Sequence, residues 1–232
     1  MKFKFAFVSK DSSFRMPKEK MDKFGDVETL YFPDNRRSLA DVYNGVLNAD
    51  KDSDFVLLVH ADVEFDADAV MKQLQALCGK YDLIGLCGCA KISVGQSPLN
   101  WYCGSMPFPA DRWGCVTHGE LGNKIAFFSS HHPDVEDHEV ACIDGLCIIF
   151  TRKAIDAGLR FDENLSPFDF YDTDISMQAV LKYKMKVGVI VRKELQHWSV
   201  GRSILSPEFL ENEEKFRTKW GFAKLDPAKS VG

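Results

Sequence analysis

Short apolar runs and amphipathic stretches alternate along the first ninety residues of the chain. Strand-like apolar runs stand at 2–8, 27–32, 55–59 and 83–87, and apolar residues recur at helical spacing between them. The uninterrupted run FVLLV at 55–59 is typical of a strand that helices cover on both faces. This order of elements predicts an open, parallel α/β sheet with right-handed crossovers.

Residues that start helices support this interpretation. Pro17 suits the first turn of a helix, where a backbone N–H is not needed. Ser38 followed by Asp41 indicates a capping box at the start of the next helix. Asp66 is placed to cap a third helix, predicted at 67–77.

Periodicity fades over 88–139, where Gly and Pro are frequent and short strands with long loops are expected. We interpret this stretch as a region that faces the acceptor side of the sheet. Regular patterning then returns, and it predicts a strand at 146–150, helices at 152–157 and 173–183, a strand at 187–191 and a charged helix at 207–220.

Composition and charge narrow the class of protein. The 232 residues, 45% hydrophobic and 27% charged, suffice for one large α/β domain and are few for two. The formal net charge is −5 and the basic residues are scattered, so we expect no nucleic-acid partner. The apolar run in the first ten residues is too short for a signal-peptide core or a membrane span, which predicts a cytoplasmic protein without an integral membrane segment. Seven cysteines without regular spacing predict reduced thiols, not a disulfide framework or a zinc site.

Polar side chains follow three of the predicted strands. Open α/β sheets bind ligands at the carboxyl ends of their strands, near the point where the strand order reverses. The residues at these positions are Ser9 after the first strand, Asp34 and Asn35 after the second, and His60 and Asp62 after the third. We therefore expect these five side chains to lie together at one edge of the sheet.

The segment His60-Ala61-Asp62 is a candidate cation site. Side chains alternate along a strand, so His60 and Asp62 face the same side. A carboxylate suits Mg²⁺ and Mn²⁺, and an imidazole suits Mn²⁺ better than Mg²⁺. The alternative interpretation is that Asp62 caps a turn and His60 is a hydrogen-bonded core residue.

Two acids, Asp172 and Asp174, stand at the predicted start of a helix. The helix dipole favours an ionised carboxylate there, and such a group can act as a general base toward a hydroxyl. Helix capping alone is the alternative.

A further candidate, His197, precedes Trp198 and a Ser/Gly segment. It either completes a metal site or is a buried histidine.

These segments occur in an order that resembles the inverting GT-A glycosyltransferases of family 2. The resemblance covers about 3–201, and its specific parts are FVLLVHADVEF, ACIDGLCIIFTRKAI, GLRFDENLSPFDFYDTDIS and QHWSVG. It implies a GT-A fold, an α/β Rossmann-like open mixed sheet flanked by helices. It also implies one domain over 1–232, with a nucleotide-binding half at about 1–90, an acceptor and catalytic half at about 91–206, and a C-terminal helix and tail.

The resemblance also implies roles for the candidate residues. Asp62 matches the last acid of the D-x-D motif that holds a metal, His60 stands where the first acid usually is, and His197 matches a histidine that joins the metal. Asp172 matches the catalytic base of the E-D motif, with Tyr171 in place of the Glu. Asp174 would be the supporting neighbour of that base. The residues implied to contact the donor are Ser9, Asp34, Asn35, Asn44, Asp144 and Gly145.

The function that follows is transfer of a sugar from a nucleotide-diphosphate donor to a glycan or other hydroxyl acceptor. The expected cofactor is a divalent metal, Mn²⁺ in preference to Mg²⁺, and the implied stereochemical outcome is inversion. Two alternatives stay open. The His at position 60 favours an inactive nucleotide-sugar-binding module, and a metal-dependent hydrolase using the same residues is the other.

Overall fold

The computed structural model describes residues 1–25, 27–92, 111–119, 125–128, 135–165, 167–192, 194–199 and 206–222. Much of the predicted acceptor-side region and the Gly201 end of the QHWSVG segment lie outside the described residues. None of the described helices is both long enough and apolar enough to cross a membrane.

Fourteen strands are present among the described residues. In chain order they are β1 (Phe3–Val8), β2 (Val27–Phe32), β3 (Phe55–His60), β4 (Val63–Glu64), β5 (Leu83–Gly85), β6 (Gly88–Cys89), β7 (Arg112–Trp113), β8 (Cys115–His118), β9 (Ile125–Phe128), β10 (Asp137–Glu139), β11 (Cys142–Ile143), β12 (Cys147–Thr151), β13 (Val187–Ile190) and β14 (Leu195–His197). The helices are α1 (Lys18–Met21), α2 (Leu39–Ala49), α3 (Ala67–Ala76), α4 (Arg152–Asp156), α5 (Tyr171–Met177) and α6 (Pro207–Trp220). A π-helical turn, Gln178–Lys182, continues α5.

Seven strands form the central sheet in the order β10-β13-β5-β12-β3-β1-β2. The predicted parallel arrangement of β1, β2 and β3 is confirmed. The parallel run does not continue directly to β5, because β12 lies antiparallel between β3 and β5. The sheet is therefore mixed, as the family resemblance implies. Smaller sheets of order β11-β6-β7 and β4-β14-β8-β9 extend beside it.

The strand β3 is buried on both faces, as its apolar run predicts. Val56 and Leu58 belong to a core cluster that includes the apolar face of α2. Phe55, Leu57 and Val59 belong to a second cluster that includes the apolar face of α3. Helices on both faces therefore hold β3 in place, and its carboxyl end becomes a fixed platform for the residues that follow.

Two predicted helix starts are confirmed at atomic detail. The Ser38 hydroxyl accepts a hydrogen bond from Asp41 N (3.2 Å), and the Asp66 carboxylate accepts one from Ala69 N (3.1 Å). The reciprocal half of the predicted capping box does not form, because the Asp41 carboxylate pairs with Arg37 instead. Each helix therefore has one side-chain cap at its first turn.

The C-terminal helix α6 packs against the start of α5. Phe216 is fully buried and stacks on Phe170, with ring centroids 5.2 Å apart. The buried carboxylate of Asp174 accepts hydrogen bonds from Lys219 Nζ and Trp220 Nε1, both at 2.8 Å. Asp174 thus anchors α6 to α5, and we assign it a structural role.

We expect Asp174→Ala to lower the free energy of unfolding by about 3 kcal/mol, because it leaves Trp220 Nε1 without its charged acceptor and removes one of the two carboxylates that contact Lys219. Glu211 provides a matched control on α6, since its ion pair with Lys215 is solvent-exposed. Glu211→Ala is expected to change stability by less than about 0.5 kcal/mol. Urea denaturation of the three proteins measures the difference, and equal midpoints for the two variants would contradict it.

Candidate active site

Strand pairing brings three predicted metal ligands together at the carboxyl end of β3. His60 is the last residue of that strand, and Asp62 lies in the turn before β4. β14 pairs antiparallel with β4, which places His197 opposite Val63. One ligand atom from each of His60, Asp62 and His197 lies within 4.8 Å of the others. We call these three residues the cation triad.

The charges of the triad suit a cation. His197 Nε2 lies 3.4 Å from Asp62 Oδ2. Burial opposes the charged form of both groups, but their mutual interaction outweighs it, so the pKa of Asp62 is lowered and that of His197 is raised. Burial lowers the pKa of His60, and His197 lowers it further against the opposing effect of Asp62. At neutral pH Asp62 is ionised and His60 is neutral, which are the forms that bind metals, whereas the raised pKa of His197 favours its protonated form, so cation binding there would release a proton.

Tyr171 connects the triad to the start of α5. Its hydroxyl lies 2.7 Å from His60 Nε2. A Cβ placed on Gly145 would stand 2.0 Å from the Tyr171 oxygen, so only glycine leaves room for this contact. Phe170, which precedes Tyr171, has a left-handed backbone (φ 66°) that turns the chain into the helix. Glycine is therefore required at position 145, because a side chain there would collide with Tyr171.

Asp172 follows Tyr171 and is held by two backbone donors. Its Oδ2 accepts from Gly145 N (3.0 Å), and its Oδ1 accepts from Thr173 N (2.7 Å). Burial, followed by the nearby Asp144 carboxylate, raises the pKa of Asp172 to about 7. Burial and the Asp144 charge therefore oppose the effect of the helix dipole, which by itself favours the ionised form.

Three predicted donor-side residues lie at the adjoining ends of β1 and β2. Ser9 N donates to Phe32 O (3.0 Å), and Asn35 N donates to Ser9 O (2.8 Å). Asp34 is exposed, has a left-handed backbone (φ 49°) and accepts from the Ser12 hydroxyl (3.2 Å). Because Val8 pairs with His60 in the sheet, this group stands at the same edge as the triad.

Two predicted site residues form their hydrogen bonds away from the triad. Asn44 is buried, and its amide donates to Phe161 O (3.0 Å) and Glu163 Oε1 (2.9 Å) and accepts from Phe161 N (2.9 Å). Asn44 therefore holds the chain at 161–163. Asp174 faces α6, as described for the fold. The structure does not group either side chain with the triad.

Four further side chains flank the triad, and no sequence motif marks two of them, His118 and Arg15. His118 Nδ1 lies 3.1 Å from His197 Nδ1. The Phe168 ring centroid is 5.6 Å from that of His60, and Lys10 Nζ is 5.9 Å from the Phe168 centroid. Arg15 stacks on Trp198 at 4.6 Å, and its backbone N–H donates to Ala61 O. His118 stands where periodicity fades, and no local pattern marks it.

Solved structures with a similar fold include GalNAc-T7 with UDP, GalNAc and Mn²⁺. That match has a TM-score of 0.50 and 11% identity, and it covers 94% of this chain and 48% of the other. The chain thus spans about half the length of that structure. TarS 1-349 from S. aureus gives a TM-score of 0.48 with 15% identity and covers 99% and 68% of the two chains. A197 from STIV gives 0.38 with 14% identity and covers 82% of each chain. A comparison with curated protein sequences finds no match.

A family model described as a glycosyltransferase-like family matches residues 26–220. The matched stretch includes the cation triad, Gly145 and Asp172. Together with the mixed sheet and its similarity to GalNAc-T7, the match confirms the resemblance found in the sequence. The chain therefore belongs to the glycosyltransferase-like family and has the GT-A fold.

Proposed function

We propose that this chain transfers a sugar from a nucleotide-diphosphate donor to a hydroxyl group of an acceptor, with a divalent cation and with inversion at the anomeric carbon. The observation that carries the proposal is the cation triad joined to Asp172 through the contact between His60 and Tyr171. A cation ligand set and a carboxylate base on one sheet edge are the two groups that such a displacement needs.

The triad fits a divalent cation of the manganese type. Two imidazole nitrogens and one carboxylate oxygen suit Mn²⁺ better than Mg²⁺, which prefers oxygen ligands and water. When bound, such a cation stabilises the negative charge of the departing nucleoside diphosphate. Lys10 stands near the triad beside Phe168 and adds a positive charge where the diphosphate would lie.

Asp172 is suited to take the proton of the acceptor hydroxyl. Each carboxylate oxygen has two lone pairs, and Oδ2 accepts one backbone N–H, from Gly145. Oδ1 has less acceptor capacity left, since both the N–H and the hydroxyl of Thr173 contact it. We therefore assign Oδ2 as the proton acceptor. A pKa of about 7 gives a base that is substantially ionised at neutral pH and still strong enough to draw the proton.

The reaction balances as a single displacement. The acceptor oxygen forms a bond to the anomeric carbon as the bond from that carbon to the diphosphate oxygen breaks. The hydroxyl proton passes to Asp172 and then to solvent. Attack from the side opposite the leaving group inverts the configuration of the sugar.

The remaining candidate residues divide between the nucleotide and the sugar. Ser9, Asp34 and Asn35 form the edge proposed to contact the nucleoside, while Asp144 and Gly145 lie beside the proposed base and face the sugar. Asp144 is itself fixed, because its Oδ1 accepts from Leu146 N at 2.8 Å. This division leaves Asn44 and Asp174 as supports of the surrounding backbone.

Asp172→Asn is expected to reduce the transfer rate by about 10²- to 10⁴-fold, because the amide cannot accept the proton, while donor binding is kept. The measurement is nucleoside diphosphate release in the presence of acceptor, with donor binding followed by calorimetry. Asp68→Asn, at an exposed acid paired with Lys72, is the control and should behave as the wild type. Full transfer activity in Asp172→Asn would reject the base assignment. Wild-type binding without any release would favour a binding module, and release that needs no acceptor would favour a hydrolase.

The pH dependence of transfer follows from the raised pKa of Asp172. The base must be unprotonated, so kcat/KM is expected to rise with pH and to level off above a midpoint near 7. Below that midpoint Asp172 is protonated and transfer is lost. A rate that is already constant from pH 5.5 upward would show that a carboxylate with an ordinary pKa, or no base at all, limits the reaction.

Asp62→Asn is expected to abolish measurable Mn²⁺ binding, because it removes the charged member of the triad. Electron paramagnetic resonance of free Mn²⁺ during a titration measures the bound fraction directly. Asp68→Asn again serves as the control for loss of an acidic side chain. Equal Mn²⁺ affinity in Asp62→Asn and the wild type would place the cation elsewhere.

A further inference from the structure

We propose that His118 and Tyr171 are positioning residues that fix the proton positions of His197 and His60, so that each imidazole presents an unprotonated nitrogen to one cation. The proposal rests on the cation site of the proposed function. It adds two residues outside the triad and states what each one does.

Strand pairing places His118 beside His197. β8 and β14 are parallel neighbours, His118 is the register partner of His197, and Gly119 N donates to His197 O at 3.2 Å. The two Nδ1 atoms are 3.1 Å apart, and the rings meet edge to face with centroids 5.0 Å apart. Two imidazole nitrogens at this distance form a hydrogen bond only when one carries a proton and the other does not.

The other nitrogen of His197 decides which ring donates. His197 Nε2 faces Asp62 Oδ2 at 3.4 Å, so it is the nitrogen on the triad side. A nitrogen that binds a cation carries no proton, and the ring proton of neutral His197 must then be on Nδ1. His197 Nδ1 therefore donates, and His118 Nδ1 accepts. Without an acceptor at position 118, the ring loses the contact that selects this tautomer.

Tyr171 fixes the proton position of His60 in the same way. The 2.7 Å contact engages His60 Nε2 and leaves Nδ1 for the cation. In this arrangement Nε2–H donates to the Tyr171 oxygen, and the absence of a side chain at Gly145 makes the approach possible. Each imidazole of the triad thus has one nitrogen held by a neighbour and one left for a cation. Loss of such a partner weakens metal affinity by about 10- to 100-fold in proteins generally.

The test is Mn²⁺ affinity of the full chain at one fixed pH, measured by electron paramagnetic resonance. His118→Phe keeps a ring but removes the acceptor, and we expect about 10- to 100-fold weaker binding. His118→Asn places an amide oxygen near the position of Nδ1, and it should recover most of the wild-type affinity. Tyr171→Phe removes only the hydroxyl and should weaken binding as His118→Phe does.

His138→Phe is the matched control for replacement of a histidine ring. His138 stacks on Trp113 with centroids 3.4 Å apart and is not among the triad or its two partners. The His138→Phe variant should leave Mn²⁺ affinity unchanged. Rescue by His118→Asn would distinguish a hydrogen-bonding role of His118 from a packing role. If His118→Phe does not fold, Tyr171→Phe and His118→Asn still test the proposal, since the first must weaken binding and the second must not.

The outcomes separate this proposal from the proposed function. If the wild type binds no Mn²⁺, the cation site itself is rejected. If the wild type binds Mn²⁺ and Asp62→Asn does not, but His118→Phe and Tyr171→Phe match the wild type, the cation site stands and the positioning roles are overturned. Equal weakening in His118→Phe and His118→Asn would also overturn the role of His118, because packing alone would then explain it.

Discussion

The short antiparallel pairing between β4 and β14 is the contact on which the candidate site depends. It joins segments more than a hundred residues apart, and it places His197 next to the turn that carries Asp62. The turn is tied from both sides, since Ala61 O accepts from Arg15 N at 2.8 Å and Asp62 O accepts from Trp198 N at 2.8 Å. A ligand atom held on a fixed backbone needs little reorganisation to bind a cation, which is the physical value of placing the triad on paired strands.

Two carboxylates of the site, Asp144 and Asp172, interact as like charges. Elsewhere a buried carboxylate is compensated, as at Asp50, whose two oxygens each lie 2.7 Å from a cationic group, on Lys4 and on Arg152. At the site, burial and then the carboxylate of Asp144 instead raise the pKa of Asp172. Like charges in a weakly solvated region cost free energy, and a bound cation would reduce that cost.

Local signals predicted local features well. The caps at Ser38 and Asp66 and the bounds of the helix at 207–220 agree with the structure, because each depends on neighbours in the sequence. The antiparallel insertion of β12 and the pairing that brings His118 to His197 depend on contacts between distant segments, and no periodicity encodes them.

The difference between local and long-range contacts also explains why two similar candidate residues have different surroundings. Asp172 and Asp174 look alike in a helix-start motif, yet the packing of α6 engages Asp174, while Gly145 engages Asp172. The pKa of Asp172 is raised by burial and by a carboxylate from another segment, and the helix-start motif reveals neither effect. The triad was anticipated through the family resemblance, and its geometry follows from strand pairing.

The close approach of Tyr171 to Gly145 makes these two positions interdependent. With a tyrosine at 171, any side chain at 145 collides with its ring, and with a shorter acid at 171, the space beside 145 would be open. A smaller residue at the first position of α5 is therefore expected to permit a side chain at position 145, whereas tyrosine does not. Substitution at either position alone is constrained, and the pair should change together during divergence or redesign.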